Sequence, residues 1–173
     1  MGIMGGNPKQ EPMHYGEVMA LWECSMAAKN CISRYQLFLN HAGDKELKGL
    51  LQKMLEQAKL EEQECDKLLV DHGVTPAPGL PERPQEKWEA IPVGARFADA
   101  EIGAMLTADN NAGLVACSTA MGMSIREDVG ALFAKYHTEK TALGLQILQL
   151  NKKKGWLVPP PLHLKHEEEL VGV

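Results

Sequence analysis

Apolar residues recur at steps of three and four positions along four long stretches of the chain, which is the period of a helix that buries one face. The stretches predict helices at about 15–41, 44–72, 99–123 and 125–154. Ser124 and Glu127 form the S-x-x-E pattern of a capping box, which predicts where the fourth helix starts.

A proline-rich stretch, residues 74–98, separates the second predicted helix from the third. Proline removes backbone donors and disfavours helix, so we predict an extended connection, with Trp88, Ile91 and Val93 packed against the bundle. Helices of nearly thirty residues are roughly 40–45 Å long, and about 25 extended residues can travel that distance. The third helix would then start at the far end and run parallel to the second.

A short connection, a long crossover and another short connection predict an all-α fold. The arrangement is a ferritin-like four-helix bundle that runs up-down-down-up, with the first and fourth helices parallel. The length of 173 residues suits one domain, 1–173. Three consecutive prolines within residues 156–173 predict an extended C-terminal tail.

Composition and charge bear on whether the protein binds nucleic acid or a membrane and on the compartment in which it folds. A net charge of −5 argues against nucleic acid, because phosphate binding needs clustered Lys and Arg. No apolar run approaches the ~18 residues that span a bilayer, and the N-terminus lacks the apolar stretch of a signal peptide. The four cysteines form no C-x-x-C pair, which is typical of a reducing compartment. We therefore expect a cytoplasmic protein without a membrane or nucleic-acid partner.

Four polar residues fall at similar depth near the middle of the predicted bundle: Lys29, Glu61, Asp109 and His137. Bundles of this kind place metals in such a layer, and Glu61, Asp109 and His137 are candidate ligands. The Glu-x-x-His pattern of di-iron proteins is missing, however, and a lysine would repel a dication. Pairing of the four residues with one another in the core is the favoured alternative, because buried charges need partners.

A second polar cluster is expected at the end of the bundle where the first and fourth helices begin. His14 and Glu17 are three residues apart and can face the same way, and His72 ends the second helix nearby. These residues could form a mononuclear metal site. The favoured alternative is a Glu17–Arg126 ion pair that joins the first and fourth helices.

The residue types bear on two further kinds of site, a catalytic nucleophile and a small-ligand pocket. No serine, threonine or cysteine has a recognisable His–Asp partner, so nucleophilic catalysis has no support in the sequence. The small side chains around Gly113 and Ala116 in the third helix can leave space for a small-ligand pocket.

Four segments in order carry a resemblance to a known family: 11–17 (EPMHYGE), 91–97 (IPVGARF), 124–128 (SIRED) and 154–160 (KGWLVPP). The chain resembles the DUF3231 family of spore-forming bacteria, a family of unknown function that is related to spore coat protein F. The resemblance implies a ferritin-like bundle and an association with sporulation. Many members resemble two such domains in tandem, whereas this chain has one, so we expect a homodimer.

These observations leave two main hypotheses for function. The first is a non-catalytic structural or assembly protein of the spore or its coat, with other coat proteins as partners. The second is a metal-binding protein or oxidase that holds a single or paired transition metal, either in the mid-bundle set or in the set at the bundle end. Metal analysis would separate the two hypotheses.

Overall fold

The computed structural model describes residues 11–163, which form four long helices, two 3₁₀ turns and no strand. The helices are α1 (Tyr15–His41), α2 (Lys45–Asp71), α3 (Asp99–Met123) and α4 (Glu127–Lys154), and the turns are Trp88–Ala90 and Val93–Ala95. The predicted helix bounds therefore hold within one residue, except at the start of α4. Residues 156–163 of the predicted tail have no regular secondary structure, and the rest of the tail lies outside the described residues.

Contacts at the helix ends fix the direction of each helix. The Nε2 atom of His14, at the start of α1, lies 3.1 Å from the carbonyl oxygen of Met123 at the end of α3. At the opposite end, the backbone N–H of Gly43 donates to Asp99, the first residue of α3, at 2.8 Å. Lys154 at the end of α4 pairs with Asp44 at the start of α2. Neighbouring helices are antiparallel, so the predicted up-down-down-up four-helix bundle is confirmed.

The crossover runs along α1 from one end of the bundle to the other. Its early part receives a hydrogen bond from Lys29 Nζ to the Ala77 carbonyl at 2.6 Å. Further along, Arg83 Nε donates to the Ser33 carbonyl at 3.0 Å, and Asn40 near the end of α1 donates to the Pro84 carbonyl at 3.0 Å. Polar contacts therefore hold the crossover. The prediction that large apolar side chains would anchor it was wrong in part, because Trp88 is 45% exposed and Val93 is 78% exposed.

Two apolar clusters fill the bundle, one toward each end. The cluster near the α1–α2 turn is built from aliphatic and phenyl side chains: Phe38, Leu47, Leu51, Ile102, Leu106 and Ile147. The cluster near the α3–α4 connection adds two buried thiols: Leu21, Cys65, Leu69, Cys117, Phe133 and Tyr136. Each cluster contains one buried tyrosine, Tyr35 in the first and Tyr136 in the second. Burial of both clusters is the main driving force for folding.

The α3–α4 connection differs from the prediction that Ser124 and Glu127 form a capping box. Ser124 instead ends α3, and its hydroxyl donates to the Ala120 carbonyl at 2.7 Å. Helix α4 begins at Glu127, two residues later than predicted, with Arg126 at its N-cap. The carboxylate of Glu17 from α1 supplies the acceptor for this connection, so a local capping box is not needed.

None of the helices within residues 11–163 combines the length and the apolar character that crossing a bilayer requires.

Candidate functional site

A cavity of about 600 Å³ lies in the middle of the bundle and opens between α1 and α3. Gly113 and Ala116 line it, so the prediction that space exists beside these small residues is confirmed. Its polar lining comes from Arg34, Glu61 and Lys140, among others. The cavity is therefore at the depth where the sequence placed its polar layer.

A buried ion pair between Glu61 of α2 and Lys140 of α4 forms part of the cavity wall. Lys140 Nζ lies 2.5 Å from Glu61 Oε1, and Glu61 is 4% exposed. Gln57 Nε2 donates to the same oxygen at 3.2 Å. Burial alone would lower the pKa of Lys140, but the Glu61 carboxylate outweighs burial and raises that pKa above its ordinary value. The lysine is therefore a cation that neutralises Glu61.

Asp109 of α3 pairs with Arg34 of α1 across the opening of the cavity. Arg34 Nη1 lies 2.5 Å from Asp109 Oδ1. The other oxygen, Oδ2, is buried and has no hydrogen-bond partner within the described part of the chain. Desolvation raises the pKa of Asp109 despite the opposing pull of Arg34.

Lys29 points away from the cavity and toward the crossover. Its ammonium group donates to Asp66 at 2.7 Å, to Ser25 at 3.0 Å and to the Ala77 carbonyl at 2.6 Å. The side chain is 6% exposed, so the position of its charge depends on these partners. Lys29 thus ties α1 to α2 and to the start of the crossover, at a distance from the Glu61 pair.

His137 is half-buried on α4 and does not line the cavity. Lys29, Glu61 and Asp109 each form an ion pair, but with Asp66, Lys140 and Arg34 and not with one another. Across residues 11–163, no three His, Cys, Asp or Glu side chains are grouped so that they could hold a metal ion.

The partners of this polar layer differ in how visible they were in the sequence. Lys140 lies on the apolar stripe of α4, so it could have been recognised as a buried cation. Arg34 and Asp66 lie beside the apolar stripes of their helices, so their spacing in the sequence did not indicate that they form ion pairs with Asp109 and Lys29.

At the bundle end, Glu17 is completely buried and accepts three backbone hydrogen bonds. Its Oε1 accepts from the N–H groups of Ile125 and Arg126 at 2.9 and 2.8 Å. Its Oε2 accepts from the N–H of His14 at 3.1 Å, which closes the first turn of α1. Glu17 therefore serves as a cap for its own helix and for the α3–α4 connection.

The guanidinium group of Arg126 is directed away from Glu17. It makes two hydrogen bonds to Asp128, at 3.0 and 2.7 Å, and one to the Glu11 carbonyl at 2.9 Å. Its Nη1 also lies 2.6 Å from His72 Nε2. The expected link between Glu17 and Arg126 thus exists through the backbone of Arg126, while the ion pair of its side chain is with Asp128.

His14, Glu17 and His72 come to the same end of the bundle, but each is occupied by protein groups. His72 Nδ1 lies 2.8 Å from the Leu68 carbonyl, so it is the donor nitrogen and Nε2 accepts from Arg126. The Nδ1 of His14 accepts from the N–H of Gly16 at 2.9 Å. Both rings and the Glu17 carboxylate therefore cap backbone groups or contact Arg126.

The thiols around the cavity are protonated. The neighbouring Cys65 thiol and burial raise the pKa of Cys24, and burial raises the pKa of Cys117 to about 12. A thiol is a weak nucleophile until it is deprotonated. These cysteines therefore behave as small apolar side chains of the core.

Comparison with known proteins places this architecture among its relatives. The family model described as "Protein of unknown function (DUF3231)" matches residues 1–168. The chain is 48% identical over 169 residues to the uncharacterized protein YvdQ of Bacillus subtilis, a match that covers 97% of this chain and 99% of that protein.

Two crystal structures resemble the bundle. A "putative spore coat protein" from Bacillus halodurans matches with a TM-score of 0.90 and 44% identity, over 92% of this chain and all of that one. A conserved hypothetical protein from Mycobacterium tuberculosis matches with a TM-score of 0.64 and 13% identity, over 78% of this chain and 96% of that one. The second match shows a shared fold alone.

Proposed function

The chain belongs to the DUF3231 family, and from that membership we propose that it is a non-catalytic structural protein that assembles in the spore or its coat. The proposal draws on the Bacillus halodurans protein of the same fold, whose name refers to the spore coat. The protein would be made in the cytoplasm, which suits its four free cysteines, and would then associate with other coat proteins.

The observation that carries the non-catalytic part is the pairing of the mid-bundle carboxylates with protein cations. Metal-binding bundles direct several unneutralised carboxylates and histidines inward at this depth. Here Lys140 neutralises Glu61 and Arg34 neutralises Asp109. A divalent ion would meet two fixed positive charges there, so the layer favours a folded scaffold over a redox centre.

Metal analysis tests this part against the rival hypothesis of a metal protein. Protein purified without chelator and dialysed should retain far less than one equivalent of Fe, Mn or Zn. Stoichiometric metal that is lost in Glu61→Gln or His137→Ala, but kept in the exposed control Glu56→Gln, would overturn the proposal.

The assembly part rests on the outer surface of the α3/α4 hairpin. We call this surface the association face: Ala104, Ala108, Val115, Leu145 and Leu148. All five side chains are exposed, with Val115 at 62% and Leu145 at 57%. No charged residue occurs between Lys140 and Lys152, and α3 has three charged residues in 25. Exposed apolar surface of this kind marks protein contacts.

A second copy of the chain is the proposed partner of the association face. An uncharged surface can pair with itself across a two-fold axis without like-charge repulsion. Within the described chain, the crossover packs along α1, which leaves the α3/α4 side uncovered. Light scattering at micromolar concentration should give twice the monomer mass, and a monomer alone would dispose of the homodimer.

Association with the spore can be tested in cells. A fluorescent fusion expressed in sporulating Bacillus subtilis should concentrate around the developing spore and remain with purified spores. The same fusion spread evenly through the mother cell, and absent from purified spores, would contradict the coat assignment.

A further inference from the structure

We propose that the mid-bundle cavity binds a neutral, mainly apolar small molecule whose hydroxyl or amide group lies between Glu61 and Lys140. The proposal goes beyond the structural role, because a scaffold needs no ligand. It rests on the size of the cavity, the chemistry of its wall and the unused hydrogen-bonding capacity of the ion pair.

The dimensions and wall of the cavity suit a small organic molecule. Its volume of about 600 Å³ falls within the range of roughly 300–1,000 Å³ typical of ligand sites. Much of the wall is apolar or small, including Ala28, Met54, Ala58, Gly113 and Leu143. The protonated thiols add weakly polar surface. A hydrocarbon body would therefore be removed from water on entering.

The ion pair offers both a donor and an acceptor to such a molecule. Glu61 Oε1 accepts the hydrogen bonds of Lys140 and Gln57, whereas none of the hydrogen bonds within residues 11–163 uses Oε2. An ammonium group has three N–H donors, and Lys140 uses one of them on Glu61. A hydroxyl or amide group can accept from Lys140 and donate to Oε2 at the same time.

Charge balance selects a neutral ligand. The Glu61–Lys140 and Asp109–Arg34 pairs are each neutral as a unit. The one further charged residue of the lining, Glu23, is exposed to solvent. Beside the Glu61–Lys140 pair, a carboxylate or ammonium head would therefore leave water without gaining an unpaired counter-charge, and desolvation of a full charge is costly. A neutral polar head group loses much less hydration free energy than a charged one when it moves from water into the cavity. The cavity should therefore discriminate by head-group charge among molecules with the same hydrocarbon body.

Gly113 sets the position of the lysine. A Cβ at Gly113 would lie 2.9 Å from Lys140 Cδ and 3.1 Å from its Cε, so any larger residue must displace the lysine stem. The glycine thus allows Lys140 to cross over α3 and reach Glu61. Gly122 lies in the same helix, and a Cβ there meets nothing within 4 Å. It provides a matched control for the effect of losing a helical glycine.

The test uses three probes with one hydrocarbon chain: 1-octanol, octanoate and octylammonium. Calorimetric or NMR titration should show saturable binding of octanol to the full chain at pH 7, with both ions at least about tenfold weaker. No saturable binding of octanol, or octanoate or octylammonium bound as tightly as octanol, would overturn the proposal.

Variants locate the site. Gly113→Ala should weaken octanol binding by about tenfold, which corresponds to roughly one charged hydrogen bond, while Gly122→Ala should leave it unchanged. Ala116→Leu, which fills the cavity, should abolish binding, and Ala131→Leu on the exposed surface of α4, outside the cavity lining, should not. Equal binding by all four folded variants would show that octanol lies elsewhere and would refute the site. The oligomer mass and metal content are measured separately, so failure here is distinguishable from failure of the structural role.

Discussion

Helix α2 of the α1/α2 hairpin carries 12 charged residues in 27, whereas α3 of the α3/α4 hairpin carries three in 25 and residues 141–151 of α4 carry none. The crossover packs along α1. Both hairpins bury one apolar face against the other. They differ in what faces outward. In this chain apolar character does not imply burial, because α3 is rich in apolar and small residues yet largely exposed. The homodimer proposed above would cover this exposed surface with a second copy of the chain.

Each hairpin also holds the connection of the other with a carboxylate. Glu17 of α1 accepts from Ile125 and Arg126 in the α3–α4 connection. Asp99 of α3 accepts from Gly43 and Asp44 in the α1–α2 connection, at 2.8 and 3.0 Å. Glu17 is completely buried and Asp99 is half-buried. The hydrogen bonds to the Glu17 carboxylate should therefore contribute more to the free energy of unfolding than those to Asp99.

The largest effect is expected from breaking the buried ion pair that joins the two hairpins. Lys140→Met leaves the Glu61 carboxylate buried without its cation, which should reduce the free energy of unfolding by about 3–5 kcal/mol. Urea denaturation of the wild-type chain and the variant measures this loss of unfolding free energy. The double variant Glu61→Gln/Lys140→Met removes both charges and should recover most of the loss. A double variant as unstable as the single one would contradict the ion-pair explanation.

A smaller effect should separate the two capping carboxylates. Glu17→Gln places an amide NH₂ against a backbone N–H donor in a completely buried site, and should cost about 2 kcal/mol in unfolding free energy. Asp99→Asn makes the matched change at a half-exposed site and should cost about 0.5 kcal/mol. Thermal or urea unfolding of both variants measures the two losses in unfolding free energy for comparison. Equal losses would mean that burial does not distinguish the two ends.

The start of α4 could not be predicted from the local sequence, because the connection before it is capped by Glu17 of α1. The sequence predicted a helix start at residue 125 because the capping pattern of Ser124 and Glu127 is local. In the structure, the acceptor comes from Glu17, more than 100 residues earlier. By contrast, the bounds of α1 and α3 and the course of the crossover follow from periodicity and from proline, which act within a few residues.

The depth of the polar residues along the bundle could also be predicted from the sequence, but their ion-pair partners could not. Counting residues placed Lys29, Glu61 and Asp109 near the same level. A level does not specify which way a side chain points around the helix, so Lys29 turned toward the crossover and Glu61 toward α4. The metal hypotheses depended on convergence of these groups.

The smallest effect concerns pH at the two connections. Hydrogen bonds from Arg126 lower the pKa of Asp128 at the α3–α4 end, and hydrogen bonds from Lys154 lower that of Asp44 at the α1–α2 end. A lowered folded-state pKa gives stability that is present above the unfolded value of about 4 and is lost as pH falls. Unfolding free energy should therefore drop below about pH 4, and less steeply in Asp128→Asn.

Salt should distinguish the same two aspartates. Lys154, the cation paired with Asp44, is 24% exposed, so 1 M NaCl should weaken the effect of Asp44→Asn on stability. Arg126 is 2% exposed, and the effect of Asp128→Asn should persist. Identical salt dependence at both ends would contradict this contrast in burial.

The association face is tested most directly by light scattering of two matched variants. Val115 on α3 and Val70 on α2 are 62% and 60% exposed, and lysine replaces valine in either helix without loss of helix propensity. We expect the wild-type chain and Val70→Lys to have the mass of a dimer at micromolar concentration, and Val115→Lys to have the mass of a monomer. A monomeric wild-type chain, or a Val115→Lys variant that remains dimeric, would contradict this expectation.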